Sequence, residues 1–356
     1  MTDKETGDRA ETLALIVGSA AFLESLEQLR RARALRGHRP GISRDFWEQV
    51  SKLGWLSLRV PNEQGGIGLG IQELCVLSER LGACMAPEPV PEAICTAPFL
   101  SGTLLEDVMS GSLIVLPAWQ ERAGDLESKA PTVRLAQGKL IGSKKYVHMA
   151  EAAGGFVVTT SNGLQFVRKD APGLSVLTTP LQDGGHFSEL TFDNTPTEPI
   201  KGSFETVQEE ITLGIAAYLL GVMRRAFAIT KDYVTTRTQF DRSIGSFQVI
   251  QHRMVDLYIQ IQLVSASIQQ AAAILESSPS LAAAKQAVSR AKARASDVAL
   301  LVTRQAVQLH GGIGYTDEAD IGLFLRKAMA LMNCYGSATA HRARYLTLVC
   351  AARGKL

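Results

Sequence analysis

The sequence has few of the features that direct a protein to a membrane or to nucleic acid. Its 37 Lys and Arg residues nearly balance 35 Asp and Glu residues, which leaves a net charge of +2, and the two signs are interspersed. No run of about twenty consecutive apolar residues occurs, and acidic residues precede the short apolar stretch near the N-terminus. We therefore expect a cytoplasmic protein that binds neither nucleic acid nor a membrane.

Cysteine is also scarce, and its positions follow no metal or disulfide pattern. The chain has no CxxC pair and no cluster of cysteine with histidine, which argues against a structural zinc site or a disulfide framework. We expect no metal, and we interpret the cysteines as small buried apolar residues. They are Cys75, Cys84, Cys95, Cys334 and Cys350.

The hydrophobic pattern of the 356 residues changes its period twice. Residues 1–112 repeat apolar side chains every three or four positions, which is typical of helices, whereas residues 113–200 contain short β-rich runs with a period of two. Residues 201–356 return to the helical period, with long segments near 204–238, 247–276, 281–310 and 318–350. The pattern predicts a mainly α fold with a central β unit, in three domains that end with a four-helix bundle.

Two segments of the last part combine residues suited to a phosphate-bearing ligand. Residues 233–252 read YVTTRTQFDRSIGSFQVIQH and residues 305–326 read QAVQLHGGIGYTDEADIGLFLR. The guanidinium of Arg237 offers forked donors to a pyrophosphate. Gly311 and Gly312 leave backbone N–H groups uncovered at a turn. A surface arginine and an ordinary turn are the plain alternatives, and we interpret His310 as structural.

These segments resemble the acyl-CoA dehydrogenase family, and the resemblance covers nearly the whole chain. Residues 237–248 resemble the family motif R-x-Q-F-G-x-x-I-x-x-F-Q, and residues 308–315 resemble Q-x-H-G-G-x-G-[YF]. Residues 46–61, FWEQVSKLGWLSLRVP, are similar to the N-terminal helix pair, and residues 140–147, LIGSKKYV, to the β segment beside the flavin ring. The resemblance implies an N-terminal helical region, a small antiparallel β barrel or sandwich and a C-terminal four-helix bundle.

The resemblance also implies FAD as cofactor and a set of residues that bind it. Asp241 replaces the glycine of the first motif; aspartate tolerates a left-handed turn but adds a negative charge. The flavin-binding T-E-P-x-x-G-S-D loop of the family is only faintly matched by residues 120–125, and W-x-T is replaced by residues 146–148, YVH. The implied cofactor-binding residues are Arg237, Phe240, Gln248, Gln308, Gly311, Gly312, Tyr146 and Val147.

The catalytic base of the family is missing from both of its usual positions. Gly336 stands where most members carry a glutamate, and Ile211 stands where a variant branch places it on the first bundle helix. Glu210 and Glu121 are the alternative candidates, although a solvated acid is the plainer interpretation of each. The catalytic residue is therefore unknown at this stage.

These departures resemble the short acyl-CoA dehydrogenases that work as unequal pairs, such as the small subunit of pimeloyl-CoA dehydrogenase and the steroid side-chain enzymes. The leading hypothesis is an α,β-dehydrogenating subunit of a hetero-oligomer, in which a longer acyl-CoA dehydrogenase subunit supplies the carboxylate. One alternative is a self-sufficient enzyme with an unconventional base, and another is a non-catalytic binding subunit. The family implies an acyl-CoA substrate, homo- or hetero-oligomers and an electron-transfer flavoprotein as acceptor.

Overall fold

The computed structural model describes residues 11–12, 14–24, 26–127, 131–277, 280–352 and 354. Within these residues the chain divides into two compact units. The first unit takes the described residues of 1–33, 71–86 and 212–356, and the second takes 34–70 and the described residues of 87–211. The division at residues 112 and 200 that the sequence suggested remains a prediction.

The helices carry the larger part of the chain. Ser43 is the N-cap of the second helix, and its side chain accepts a hydrogen bond from the Phe46 N–H. Ser280 is the N-cap of the eighth helix, and its side chain accepts one from the Ala283 N–H. The helices are α1 (Leu26–Leu35), α2 (Arg44–Lys52), α3 (Ile71–Ala83), α4 (Val90–Thr96), α5 (Gly102–Met109), α6 (Phe204–Thr236), α7 (Gln248–Glu276), α8 (Leu281–His310), α9 (Ile321–Leu331) and α10 (Ala338–Ala352).

In the first unit, α8 lies against α7, α9 and α10. The alanines of α8 at 284, 287, 291 and 295 are buried, and such small side chains allow neighbouring helices to approach closely. The sequence predicted one helix near 318–350, but the structure has two, α9 and α10. Tyr335 and Gly336 between them have φ of +56° and +103°, which a right-handed helix excludes.

In the same unit, α3 and the part of α6 that follows residue 211 cross at two glycines. A Cβ atom on Gly82 would lie 1.9 Å from the carbonyl oxygen of Tyr218, and a Cβ on Gly221 would lie 1.9 Å from that of Glu79. Backbone contact at this crossing therefore requires glycine at both positions. Helix α6 is long and apolar enough to span a membrane, but 78% of its most apolar window is buried inside the protein.

The second unit contains two four-stranded sheets with the orders β1-β4-β5-β8 and β2-β3-β7-β6. The pairs are antiparallel, as predicted for this region, except for β1 with β4, which run parallel. The mainly helical fold with central β structure is confirmed. The strands are β1 (Val115–Ala118), β2 (Arg134–Ala136), β3 (Lys139–His148), β4 (Gly155–Thr160), β5 (Gly163–Arg168), β6 (Leu174–Pro180), β7 (His186–Pro196) and β8 (Glu198–Ile200).

Candidate functional site

One end of the helical bundle brings together the predicted residues of the two C-terminal motifs. Val234 of α6, Met254 of α7 and Leu309 of α8 form a buried apolar cluster, against which Tyr233 and Ile244 pack. The rings of Tyr233 and His310 stack with centroids 4.3 Å apart. This cluster fixes the backbone at the end of α6, the start of α7 and the end of α8. We call this region the bundle end.

Arg237 lies directly after α6 at the bundle end. Its backbone N–H donates to the Tyr233 carbonyl at 2.8 Å, and its carbonyl accepts from the Ile244 N–H at 2.9 Å. The side chain is exposed and makes no ion pair among the described residues. The backbone is thus fixed while the guanidinium is open to an external ligand.

Phe240 lies at the tip of a small hairpin formed by β9 (Thr238–Gln239) and β10 (Arg242–Ser243). Phe240 and Asp241 have φ of +54° and +59°, so both central residues of this two-residue turn are left-handed. Asp241 adopts the left-handed turn that the sequence suggested for it. The Phe240 side chain is 85% exposed, which is unusual for an aromatic residue of a folded chain.

The glycine loop that follows α8 completes the bundle end. Gly311 has φ of +65°, but a Cβ on Gly311 or Gly312 would meet no atom of the described part of the chain within 4 Å. Gly314 differs, because its Cβ would lie 2.7 Å from the Val307 carbonyl oxygen. Packing inside this chain therefore explains Gly314 and backbone conformation explains Gly311, whereas neither explains Gly312.

The remaining motif residues of the bundle end also have defined positions. Gln248, the first residue of α7, and Gln308, near the end of α8, are both exposed. His310 is buried, and its Nδ1 lies 2.8 Å from the Ala306 carbonyl oxygen. Burial lowers the pKa of His310, and the hydrogen bond to Ala306 offsets part of that effect. These contacts agree with a structural role for His310.

In the second unit, strand β3 is irregular where the other predicted residues lie. The register with β7 shifts between Lys144 and Val147, and Tyr146 within this bulge has φ of +56°. Tyr146 is 44% exposed and meets the Phe187 ring edge-on, whereas Val147 is buried. Tyr146 can therefore face a ligand, and Val147 can offer only its backbone. Bulges of this kind often redirect side chains near functional sites.

His148, the last residue of β3, forms a pair that the sequence did not predict. Its Nδ1 lies 2.9 Å from Oε1 of Glu92 on α4. The Glu92 side chain is 2% exposed and that of His148 is 11% exposed. The replacement of W-x-T by residues 146–148 marked this position in the sequence, but nothing there indicated the distant carboxylate.

Glu121, one of the two candidate bases, is held by several hydrogen bonds in the second unit. Its carboxylate accepts from Lys144 Nζ at 2.6 Å and from the Thr132 N–H and hydroxyl at 2.8 and 2.7 Å. Burial alone would raise the pKa of Glu121, but these donors outweigh it and lower the pKa to about 2. A carboxylate so strongly stabilised in its charged form is a poor proton acceptor.

Glu210, the other candidate, lies near the start of α6 in the second unit. Its Oε1 accepts a hydrogen bond from Arg59 at 2.5 Å, and its side chain is 12% exposed. Burial raises the pKa of Glu210, although Arg59 opposes this shift. The neighbouring Ile211 is fully buried. Glu210 therefore retains a proton more readily than Glu121 does.

In the first unit, buried polar side chains hold the loop around Gly336 by hydrogen bonds to its carbonyl groups. Lys292 of α8 is fully buried and donates to Ser296 Oγ, the Met332 carbonyl and the Gly336 carbonyl at 2.9, 3.0 and 3.1 Å. His341 is also buried, with Nε2 2.9 Å from the Tyr335 carbonyl oxygen. Burial lowers the pKa of Lys292 to about 8. We call residues 332–337 the closed loop.

Comparisons with known proteins agree with this architecture. The family model for the acyl-CoA dehydrogenase C-terminal domain matches residues 209–345, and the model for the N-terminal domain matches residues 20–100. Acyl-CoA dehydrogenase IpdE2 of Mycolicibacterium smegmatis is 28% identical over 318 residues, covering 89% of this chain and 90% of that protein. IpdE2 of Mycobacterium tuberculosis is 30% identical over 298 residues, covering 82% and 81%.

A solved structure is similar over almost the full length. It is a variant of the Tcur3481–Tcur3483 steroid ACAD, with a TM-score of 0.88 and 28% sequence identity. The match covers 97% of this chain and 99% of that chain.

Proposed function

We propose that this chain, which belongs to the acyl-CoA dehydrogenase family, takes part in the FAD-dependent α,β-dehydrogenation of an acyl-CoA thioester. The family consists of oxidoreductases that act on CH–CH groups. In this proposal the chain is one subunit of a hetero-oligomer in the cytoplasm, a longer acyl-CoA dehydrogenase subunit supplies the catalytic carboxylate, and an electron-transfer flavoprotein accepts the electrons.

The open bundle end is the single observation that carries this proposal. Arg237 presents an exposed guanidinium from a fixed backbone, and Gly312 is a glycine that no contact with the described residues requires. Both features suit the phosphates of a dinucleotide, because a guanidinium pairs with phosphate and glycine leaves its N–H accessible. The residues present therefore fit FAD.

FAD, when bound, supplies the acceptor for the hydride that leaves the β-carbon of the acyl chain. The role of this chain is to hold that cofactor at the bundle end. Arg237 and the N–H groups of Gly311 and Gly312 would bind phosphate oxygens, and the exposed Phe240 ring would stack on an aromatic surface. Gln248 and Gln308 would donate hydrogen bonds from their amides. In the second unit, Tyr146 and the Val147 backbone would contact a flavin ring, as the family resemblance implies.

The closed loop supports the assignment of the carboxylate to a partner. At a φ of +103°, Gly336 occupies the left-handed region that favours glycine, so a glutamate there would require the loop to change its conformation. Ile211 is buried and apolar, and Glu121 is held as a stable anion. The two-part name of the similar steroid enzyme supports a hetero-oligomer of the same kind.

A self-sufficient enzyme is the second candidate, and the burial of Glu210 favours it. Burial raises the pKa of that carboxyl toward the range in which it can exchange protons. The ion pair with Arg59 acts against it, because a proton acceptor must first lose this partner.

The flavin content of Arg237→Ala tests the proposed function. We expect the purified complex with the longer subunit to be yellow, and the variant to lose most of its visible flavin absorbance because a pyrophosphate ligand is removed (about 2 kcal/mol). Arg304→Ala is the matched control, since Arg304 is exposed on α8 one turn before Gln308. Full flavin retention in Arg237→Ala would contradict the assignment.

A further inference from the structure

The Glu92 and His148 side chains of the second unit form a carboxylate–imidazole pair that no part of the proposed function uses. Glu92 is anchored on α4 and nearly fully buried, and its Oε1 lies 2.9 Å from His148 Nδ1. The His148 ring also lies 5.8 Å from the Phe187 ring, centroid to centroid. These two contacts fix the imidazole from two sides.

The hydrogen bond defines which nitrogen can react. A carboxylate accepts hydrogen bonds, so Nδ1 of His148 carries the hydrogen and Nε2 carries the lone pair of the neutral ring. Among the described residues, no hydrogen bond occupies Nε2. A histidine oriented by a carboxylate through Nδ1, with Nε2 available, has the arrangement of a general base.

The surrounding backbone indicates that this part of β3 is shaped for a ligand. Tyr146, two residues before His148, is an aromatic residue at positive φ within a bulge, and it is 44% exposed. Such a conformation costs roughly 1–3 kcal/mol and persists where the surrounding structure enforces it, often at functional sites. The exposed Tyr146 ring and the oriented imidazole are thus adjacent on one irregular strand.

We propose that His148 is a proton acceptor of this chain and that Glu92 is its positioning residue, acting on the α-carbon of an acyl thioester. The choice of an acyl thioester as substrate rests on the proposed function, whereas the Glu92–His148 contact is observed independently of it. In the step, the Cα–H bond breaks and an N–H bond forms at Nε2. The electron pair moves onto the thioester oxygen to give an enolate, so no oxidant is consumed. The hetero-oligomer then has proton acceptors on both chains.

Other titratable groups surround the pair. His186 at the start of β7 accepts a hydrogen bond at Nε2 from the Glu151 N–H, and burial lowers its pKa to about 4. Arg39, Lys169 and His148 itself lower the pKa of His186 further, while Glu151 opposes them. His186 is therefore neutral near pH 7, and Glu92 is the carboxyl group in direct contact with the His148 ring.

Hydrogen–deuterium exchange at the α-carbon tests this proposal without flavin turnover. The probe is a 3-thia-acyl-CoA, because sulfur at the β-position has no hydride to lose. The full-length chain without its partner is incubated with the probe in D₂O, and deuterium uptake is followed by mass spectrometry. We expect His148→Gln to slow exchange at least about 100-fold, as for loss of a general base. His252→Gln, which replaces an exposed histidine of α7, should leave exchange unchanged.

The Glu92→Gln variant tests the positioning role. We expect exchange to fall about tenfold. The loss should appear in the exchange rate at saturating probe and leave probe affinity unchanged, because Glu92 orients the imidazole without contacting the probe. A residue that served packing alone would not separate the rate from the affinity in this way. Probe binding by calorimetry and the thermal midpoint of each variant confirm that it is folded.

The outcomes separate this proposal from the proposed function. Probe binding with exchange that is absent in the wild type, or unchanged in His148→Gln, would overturn the role of His148 and leave the substrate class standing. Exchange lost in Glu210→Gln but kept in His148→Gln would assign the proton acceptor to Glu210 and also overturn the proposal. Absence of probe binding would count against the acyl-CoA class as well.

Discussion

The bundle end and the closed loop belong to the same unit, but they treat polar groups in opposite ways. At the bundle end the Arg237 guanidinium and the backbone beside Gly312 are left open. In the closed loop, Lys292 uses its ammonium to satisfy two carbonyls and a hydroxyl in the interior. The difference separates a surface that we propose binds an external ligand from a loop whose polar groups are satisfied in the interior.

The second unit contains another polar contact that uses a buried ammonium, the ion pair between Glu121 and Lys144. Glu121→Gln would leave the fully buried Lys144 ammonium without its counter-charge. We expect this change to lower the free energy of unfolding by about 4 kcal/mol, as for breaking a buried ion pair. Urea denaturation at pH 7 measures it, with Glu198→Gln on the exposed β8 as the control.

The pH dependence of the same pair has a defined sign. The pKa of Glu121 falls from 4.5 to about 2 on folding, so its contribution to stability is complete above pH 4.5 and is lost as the pH falls through 2. The difference in unfolding free energy between wild type and Glu121→Gln should therefore be constant above that window and shrink within it. A constant difference down to pH 2 would contradict a structural carboxylate.

The closed loop gives the next largest effect. Lys292→Met keeps the length of the side chain but removes the ammonium, which leaves the Met332 and Gly336 carbonyls and the Ser296 hydroxyl without this donor. We expect a loss of about 3 kcal/mol in the free energy of unfolding, since each unsatisfied buried group costs roughly 1–3 kcal/mol. Lys231→Met on the exposed face of α6 is the control for removing a lysine charge. An unchanged stability would mean that the loop is not held by Lys292.

The sequence indicated the exposed motif residues of the bundle end more readily than the buried polar contacts. Arg237, Phe240 and Gly311 belong to local motifs, and the structure places them together at the bundle end because a few apolar residues within the same segments pack there. The pairs Lys292–Gly336 and Glu92–His148 join residues 44 and 56 positions apart. No local period connects such residues, so only the folded chain brings them together.

The break between α9 and α10 has the same origin. The hydrophobic period continues through residues 318–350, which predicted one helix, yet Tyr335 and Gly336 adopt positive φ. A glycine alone is a weak signal for a helix end, because glycine also occurs inside helices at a cost of about 1 kcal/mol. The buried donors from Lys292 and His341 to the loop carbonyls offset the helical hydrogen bonds that the break removes.

The glycine loop of the bundle end offers the smallest effect and the sharpest contrast. Gly314→Ala places a Cβ 2.7 Å from the Val307 carbonyl oxygen, and we expect it to cost about 2 kcal/mol of unfolding free energy through overpacking. The Cβ of Gly312→Ala meets no atom within 4 Å among the residues that the structure describes and requires no left-handed φ, so the unfolding free energy should stay within about 0.5 kcal/mol of the wild type. Flavin retention should not follow stability. If an external phosphate lies against the backbone at Gly312, the Gly312→Ala variant should lose flavin although it remains stable. Denaturation and absorbance measured on the same two samples check both halves. A Gly312→Ala protein that keeps full stability and full flavin would show that the backbone at this position is open to solvent alone, and the contrast with the closed loop would then rest on Arg237.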